Sequence, residues 1–138
     1  MKAVLSKLEP RYELAHVILF NELDEVDEVC FFNYGQIDVG FEINRKQYFE
    51  LRLRNSVIVG AYNVSFNKRS KYIYRTHTYC EGYTIRKTNW HIIMSDEEHS
   101  LLGNMLKKRI KREYQINTDW KIASIRKSMI DKWKRRAD

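Results

Sequence analysis

The segment from Ile58 to Cys80, IVGAYNVSFNKRSKYIYRTHTYC, has the layout of an anion-binding segment. Gly60 lies between short apolar runs, where the absence of a side chain allows the backbone to approach a ligand closely. A polar stretch containing Arg69, Ser70 and Lys71 follows, and its hydroxyl and cationic groups can donate hydrogen bonds to a phosphate. The candidate chemistry is therefore the binding of an anion by this segment.

Residue types that support catalysis elsewhere form no recognisable pattern in this chain. The four histidines lack metal-binding spacing, and no pair of them alternates along a strand. The serines occur without a nucleophile-elbow sequence, and phosphate-loop and dinucleotide fingerprints are missing. The acidic run NELDEVDE is interpreted as a solvated loop rather than an acid/base pair. We therefore expect neither catalytic residues nor a metal site, and the chain is not predicted to be an enzyme.

The first two thirds of the chain alternate apolar and polar residues with a period of two. The run QIDVGFEI places Ile37, Val39, Phe41 and Ile43 on one face, which is typical of a half-buried strand. Similar runs recur from about residue 12 to residue 86, separated by turn signals. Seven or eight short strands at this spacing indicate a sandwich, a barrel or a jelly roll.

After Lys87 the apolar pattern becomes helical. One predicted helix carries an apolar stripe that should pack on the β-unit, formed by Leu101, Leu102, Met105, Leu106 and Ile110. A last helix aligns four further apolar side chains and could dock on the domain or on a neighbouring chain, through Ile122, Ile125, Met129 and Trp133. The other large aromatic residues are assigned to core packing rather than to base stacking, namely Tyr72, Tyr74, Trp90 and Trp120.

Composition predicts one domain, because 138 residues with 43% apolar content can bury a core and no Gly/Ser-rich or Pro-rich linker interrupts them. No apolar run is long enough for a membrane span, and the first residues lack a signal-peptide core. Cys30 and Cys80 lie inside strand-like runs, so buried reduced thiols are expected, as in a cytoplasmic environment.

The net charge of +7 is concentrated at one end of the chain. Residues 1–106 carry 13 Lys and Arg against 14 Asp and Glu, whereas residues 107–138 carry 12 against 4. A basic segment of this kind can contact nucleic acid, an anionic membrane surface or an acidic protein.

Three segments together resemble the cyclic-nucleotide-binding domain at the cytoplasmic C-terminus of voltage-gated and cyclic-nucleotide-modulated cation channels. The resemblance covers about residues 5–115. Gly35 and Val39 fit the family's F-x-x-x-G-x-h-x-V step, and VIVGAYNV is similar to the FGE entry of its phosphate-binding cassette. The run RTHTYC is similar to the Arg-x-x-Thr-Tyr-Cys strand of the channel branch. The runs FNKRSKYIYR and YTIRKTNW together resemble potassium channels of the ciliate type.

This resemblance implies an α+β, mainly β, fold: an eight-stranded antiparallel β-roll (jelly roll) with a short N-terminal helix and two or three C-terminal helices. The whole chain, 1–138, is then one cyclic-nucleotide-binding-like domain. Its expected parts are an N-terminal helix (1–11), the β-roll (12–87), the following helices (88–115) and an extra basic C-terminal helix (116–138).

In the family, a cassette glutamate accepts the ribose 2′-hydroxyl, an arginine pairs with the cyclic phosphate and the last helix closes over the base. Aligned on the retained Gly60, these positions are Ala61 and Ser70, so both charges are missing. Arg69 and Lys71 flank Ser70, but strand alternation predicts that they point outward. Lys111, on the helix that would form the lid, could in principle face a ligand.

The predicted function is a cytoplasmic regulatory domain of a cation or potassium channel with a degenerate pocket and no bound cofactor. The alternative is a true sensor of cAMP or cGMP with an altered cassette, in a channel or a kinase regulatory subunit. A nucleic-acid-binding module is disfavoured, because the region after residue 115 offers one candidate helix and no helix-turn-helix pair. The expected partners are other subunits or domains of the same channel, or an anionic membrane surface contacted by the basic helix.

Overall fold

The computed structural model describes residues 7–95 and 100–137 of the chain. Its eight strands are β1 (Glu9–Glu13), β2 (Ile18–Phe20), β3 (Glu28–Tyr34), β4 (Ile37–Ile43), β5 (Lys46–Leu53), β6 (Val57–Val59), β7 (Ile73–Thr76) and β8 (Cys80–Arg86). Its helical segments are α1 (Ala61–Phe66), α2 (Lys87–Met94), α3 (Ser100–Tyr114), a π-helical segment (Gln115–Asp119) and α4 (Trp120–Ala137). The predicted α+β fold built on an antiparallel β-roll is confirmed.

The strands form two four-stranded antiparallel sheets, in the orders β1-β8-β3-β6 and β2-β7-β4-β5. In β4, Ile37, Val39 and Phe41 are buried as predicted, in one core that draws side chains from both sheets. The strand is not half-buried as expected, because Asp38 is also buried, where it pairs with Arg52 and His77. Cys30 and Cys80 are buried and unpaired, as expected for reduced thiols.

The prediction of an N-terminal helix over residues 1–11 is wrong for residues 9–11, which belong to β1. Glu9 lies opposite Thr84 and Arg11 opposite Gly82. The backbone of this segment therefore pairs with β8 instead of forming the hydrogen bonds of a helix. Pro10 is tolerated because β1 is an edge strand, where a missing N–H need not interrupt a ladder. Residues 1–6 of the predicted helix lie outside the described residues.

The segments α3, π and α4 follow one another without a break, and one stripe of their side chains faces the β-roll. The members of this docked stripe that are buried or half-buried are Ile110, Tyr114, Thr118, Ile122, Ile125, Met129 and Trp133. The steps of four residues from Tyr114 to Thr118 to Ile122 exceed the 3.6-residue repeat of an α-helix, and the wider π-helical turn absorbs the difference. Of the two sequence-based alternatives for the last helix, docking on its own domain is the one observed.

The apolar stripe predicted for α3 does not pack on the β-unit as expected. Leu101, Met105 and Leu106 are exposed, and Ile110 alone among its described side chains packs against the core; the side chain of Leu102 lies outside the described residues. The physical reason is a close approach at Gly103, where an added Cβ would lie 2.8 Å from the carbonyl oxygen of Met94. The face of α3 that carries Gly103 therefore turns inward.

Two of the tryptophan assignments agree with the structure and one does not. Trp90 is buried beside Phe31, and Trp133 packs on Tyr48 with 5.6 Å between ring centroids. Trp120 is exposed, because it lies on the side of α4 opposite the docked stripe. Across the described parts of the chain, no helix combines the length and the apolarity needed to span a membrane.

Candidate functional site

The candidate cassette begins where β6 ends against β3, at Gly60. This residue has φ of 89°, in the left-handed region, and is the N-cap of α1. A Cβ added there would lie 2.6 Å from the carbonyl oxygen of Glu28. Both observations require glycine, because only a residue without a side chain adopts this conformation at such a close approach.

The segment after Gly60 forms the six-residue helix α1, which the apolar pattern of the sequence did not predict. Asn63 holds the end of the helix: its carbonyl oxygen accepts the N–H of Lys68 at 2.9 Å, and its Nδ2 donates to the carbonyl of Arg69 at 3.0 Å. Ser65 accepts the indole N–H of Trp90 at 2.8 Å. The cassette is therefore fixed to both its own loop and α2.

Ser70, which the resemblance aligns with an arginine of the cassette, is buried. Its hydroxyl donates to the carbonyl oxygen of Tyr72 at 2.7 Å. Its backbone N–H donates to the carbonyl of Asp24 at 2.9 Å, and its own carbonyl accepts the N–H of Leu23 at 2.7 Å. The hydrogen-bonding groups of Ser70 are thus used within the protein.

Arg69 and Lys71 point away from the core on either side of Ser70, and both side chains are exposed. Arg69 donates to the carbonyl of Leu23 at 2.9 Å and pairs with Glu25 at 3.2 Å. The ammonium group of Lys71 lies 3.2 Å from the carboxylate of Asp119. Neither cation points toward the interior beside Ser70.

Tyr72 and Asp119 connect the cassette strand to the C-terminal helices. The Tyr72 hydroxyl donates to the carboxylate of Asp119, and the backbone carbonyl of the same residue lies 3.3 Å away. Burial, together with this hydrogen bond to a carboxylate, raises the pKa of the Tyr72 hydroxyl far above its ordinary value. Tyr72 therefore remains a neutral donor at physiological pH.

Two further contacts close the same interface. The rings of Tyr62 and Tyr114 stack with 4.1 Å between centroids and 6° between planes. Ile122 is fully buried and belongs to the core cluster. Burial also raises the pKa of Tyr114. We call this set of contacts, formed by Tyr62, Tyr72, Tyr114, Asp119 and Ile122, the closure contacts.

The remaining candidates from the sequence lie at different positions in this arrangement. Ala61 is the first residue of α1 and is half-buried. Lys111 is exposed on α3. The structure therefore places Gly60 and Ala61 at the start of α1 and buries Ser70 between α1 and β7, whereas Lys111 is exposed; the roles of all these residues in ligand binding stay a prediction.

Sequence reasoning missed the closure contacts as a site. Tyr72 and Asp119 are 47 residues apart, and no spacing rule joins them. The one signal available was the alignment of Ile122 with the apolar stripe of the last helix. Within residues 7–95 and 100–137, no group of His, Cys, Asp and Glu side chains is arranged to hold a metal ion.

No protein-family model and no curated protein sequence matches the chain. Solved structures do match it by shape. The regulatory domain of Toxoplasma gondii PKA, solved with cAMP, has a TM-score of 0.61 at 12% identity, over 67% of this chain and 36% of that one. The c-di-GMP responsive regulator CLP of Xanthomonas campestris has a TM-score of 0.67 at 14% identity, over 88% and 61% of the two chains.

A cAMP-binding acyltransferase from Mycobacterium smegmatis has a TM-score of 0.58 at 12% identity, over 70% of this chain and 31% of that one. The chain thus spans about a third of the length of the PKA and acyltransferase chains. At these identities the likeness concerns the fold alone: the chain shares its β-roll fold with the matched parts of these three proteins.

Proposed function

We propose that the chain is a non-catalytic regulatory domain of a cation channel of the potassium type, on the cytoplasmic side of a membrane. Its nucleotide pocket is filled by the protein's own side chains. The observation that carries this proposal is the set of closure contacts, in which Tyr72 is hydrogen-bonded to Asp119 and Ile122 is fully buried. Its partners are other subunits or domains of the same channel.

The residue types at the cassette support a pocket that does not bind cyclic nucleotides in the usual way. Ala61 has no group that accepts a ribose hydroxyl, and the Ser70 hydroxyl already donates to Tyr72. A hydrogen bond to a charged group typically contributes about 1.5 to 3 kcal/mol, so the loss of two such bonds weakens binding by roughly 10² to 10⁴-fold.

The positions of Arg69 and Lys71 bear on the alternative, a sensor with an altered cassette. To reach a phosphate, Arg69 would have to leave its ion pair with Glu25, or Lys71 its ion pair with Asp119. The side chain would then have to rotate from the exposed surface into the interior, where Ser70 is buried. These contacts favour the filled pocket. Binding of a cyclic nucleotide by the chain is the result that would favour the sensor instead.

The channel context rests on the resemblance of the strand around Arg75, Thr78 and Cys80. Two residues of the motifs that carry the resemblance, Gly35 and Cys80, pack closely together. A Cβ added to Gly35 would lie 2.5 Å from the sulfur of Cys80. The guanidinium group of Arg75 lies 3.6 Å from the buried carboxylate of Asp38.

The first experiment is calorimetric titration of the chain with cAMP, cGMP and c-di-GMP. The proposal predicts no heat of binding up to millimolar ligand. Binding at micromolar concentration would favour the sensor instead.

A second experiment separates the missing charges from the filled pocket. The double variant Ala61→Glu/Ser70→Arg should gain measurable cAMP or cGMP binding, and adding Ile122→Ala should tighten it further by removing a side chain from the closure contacts. Circular dichroism checks that each variant is folded. Silence of the folded triple variant as well as of the double contradicts the alignment of the cassette, whereas a double variant that binds as tightly as the triple contradicts the filled pocket.

A further inference from the structure

The side of the C-terminal helices that faces away from the β-roll carries large exposed apolar side chains. On α3, Leu101 is 73% exposed and Met105 is 59% exposed. On the π-helical segment and at the start of α4, Ile116 is 41% exposed and Trp120 is 58% exposed. Met105 follows Leu101 by four residues, Ile116 follows Met105 by three turns, and Trp120 follows Ile116 by four residues. These spacings place the four side chains on one side of the helices, and we call them the outer stripe.

Basic side chains fill the gaps in the outer stripe. Those at the positions between and after the apolar residues are exposed: Lys108, Arg109, Arg112, Lys127 and Arg135. The segment from residue 107 to 138 carries 12 Lys and Arg against 4 Asp and Glu. Of the basic side chains on α3 and α4, Arg109 alone is in an ion pair among the described residues, with Glu113 at 3.0 Å. The outer stripe therefore keeps a strong positive potential.

We propose that the outer stripe docks on an anionic membrane surface, with its lysines and arginines at the lipid headgroups and Trp120, Ile116, Met105 and Leu101 inserted at the boundary with the acyl chains. Charge complementarity with anionic lipid and the interleaving of bulky apolar with basic side chains on one helical side are the features that such a surface recognises. This inference concerns the face opposite the closure contacts and does not depend on the state of the pocket.

A nucleic acid would use the same charges but not the same apolar residues. Phosphate contacts are made by lysine and arginine, whereas Leu101, Met105 and Ile116 offer an aliphatic surface that no phosphate backbone covers. α3 and α4 are about 22 Å and 27 Å long at 1.5 Å per residue, so several cations of each helix reach one flat surface together. The observations thus favour lipid over nucleic acid.

The test is sedimentation of the full chain with phosphatidylcholine vesicles, with and without phosphatidylserine. We expect co-sedimentation with the serine-containing vesicles only, weakening as salt is raised. The variant Lys127→Glu/Arg135→Glu should lower the partition coefficient by more than tenfold, since each basic residue at the surface contributes about fivefold. The matched control Arg45→Glu/Arg54→Glu changes the same charge at two exposed residues of the β-roll and should leave more of the binding intact.

The apolar part of the proposal has its own pair of variants. Trp120→Ala should weaken vesicle binding several-fold, whereas Ile58→Ala, at a residue that is similarly exposed at 55% but lies on β6, should not. All variants are checked by circular dichroism. Equal binding to both kinds of vesicle, equal effects of variant and control, or preferential binding to duplex DNA or RNA that is insensitive to Trp120→Ala would overturn the proposal.

Discussion

Replacement of Ile122 by alanine tests whether the docking of α4 is an integral part of the fold. Ile122 is fully buried, and its side chain belongs to a core built from both sheets and α2. Deleting its three outer carbons removes their transfer energy and leaves a cavity that the surrounding strands fill only in part.

Buried isoleucine-to-alanine changes cost 2 to 5 kcal/mol in general. We expect about 3 kcal/mol for Ile122→Ala, because the site is fully buried but lies on a terminal helix that can relax toward the cavity. The matched control is Ile116→Ala, at a residue of the neighbouring π-helical segment that is 41% exposed. Its cost should stay within about 0.5 to 1 kcal/mol.

Urea denaturation followed by circular dichroism and tryptophan fluorescence measures both free energies of unfolding. Trp133 reports on the docking of α4, since its ring packs on Tyr48 of β5. Hydrogen exchange distinguishes a global from a local effect: loss of about 3 kcal/mol accelerates exchange roughly 10²-fold in the units whose opening exposes Ile122. A cost for Ile122→Ala below about 1 kcal/mol, or equal to that of Ile116→Ala, would refute the docked position of α4.

A double-mutant cycle of Tyr72→Phe and Asp119→Asn, measured by urea denaturation, should give a coupling energy of about 1 to 3 kcal/mol. The reason is that the hydrogen bond joins the phenol of Tyr72 to the carboxylate of Asp119. Additive effects of the two substitutions would contradict this hydrogen bond. Burial raises the pKa of Tyr72, Tyr74 and Tyr114 in the folded chain above the ordinary value near 10. Their contribution to stability is fully present below pH 10 and should be lost as pH rises above it, because the unfolded chain then releases phenolic protons that the folded chain retains. Tyr72→Phe should reduce the fall of the urea midpoint as pH rises above 10. A midpoint that falls as steeply with pH in the variant as in the parent chain would contradict the raised pKa of Tyr72. Gly60→Ala should destabilise the domain by about 1 to 3 kcal/mol, because it forces a left-handed conformation and a contact with the Glu28 carbonyl; a neutral effect in thermal unfolding would show that the turn is not as described.

The sequence was sufficient where a structural property follows from the side chains of one short segment. The period of two in QIDVGFEI correctly placed Ile37, Val39 and Phe41 in the core, since alternation is a property of the extended backbone itself. Arg69 and Lys71 are exposed around the buried Ser70, as predicted, but residues 69–71 precede β7, so strand alternation is not the reason.

The sequence failed where one local pattern is compatible with two environments. The stripe containing Leu101 and Met105 correctly predicts an amphipathic helix, but amphipathicity does not tell whether the apolar side is covered. The close approach of Gly103 to Met94 decided which side of α3 faces the body. The helix α1 was missed because six residues are too few to show a helical period.

By itself, the sequence determined a run of short strands followed by helices, the buried thiols and the basic end of the chain, and its resemblance to a known family added the β-roll. The tertiary structure alone decided what faces the candidate cassette. Tyr72 and Asp119 meet across 47 residues because the β-roll and the π-helical turn set the direction and register of the last helix. Such a contact depends on the sum of many packing energies along both elements, and no local residue pattern encodes it.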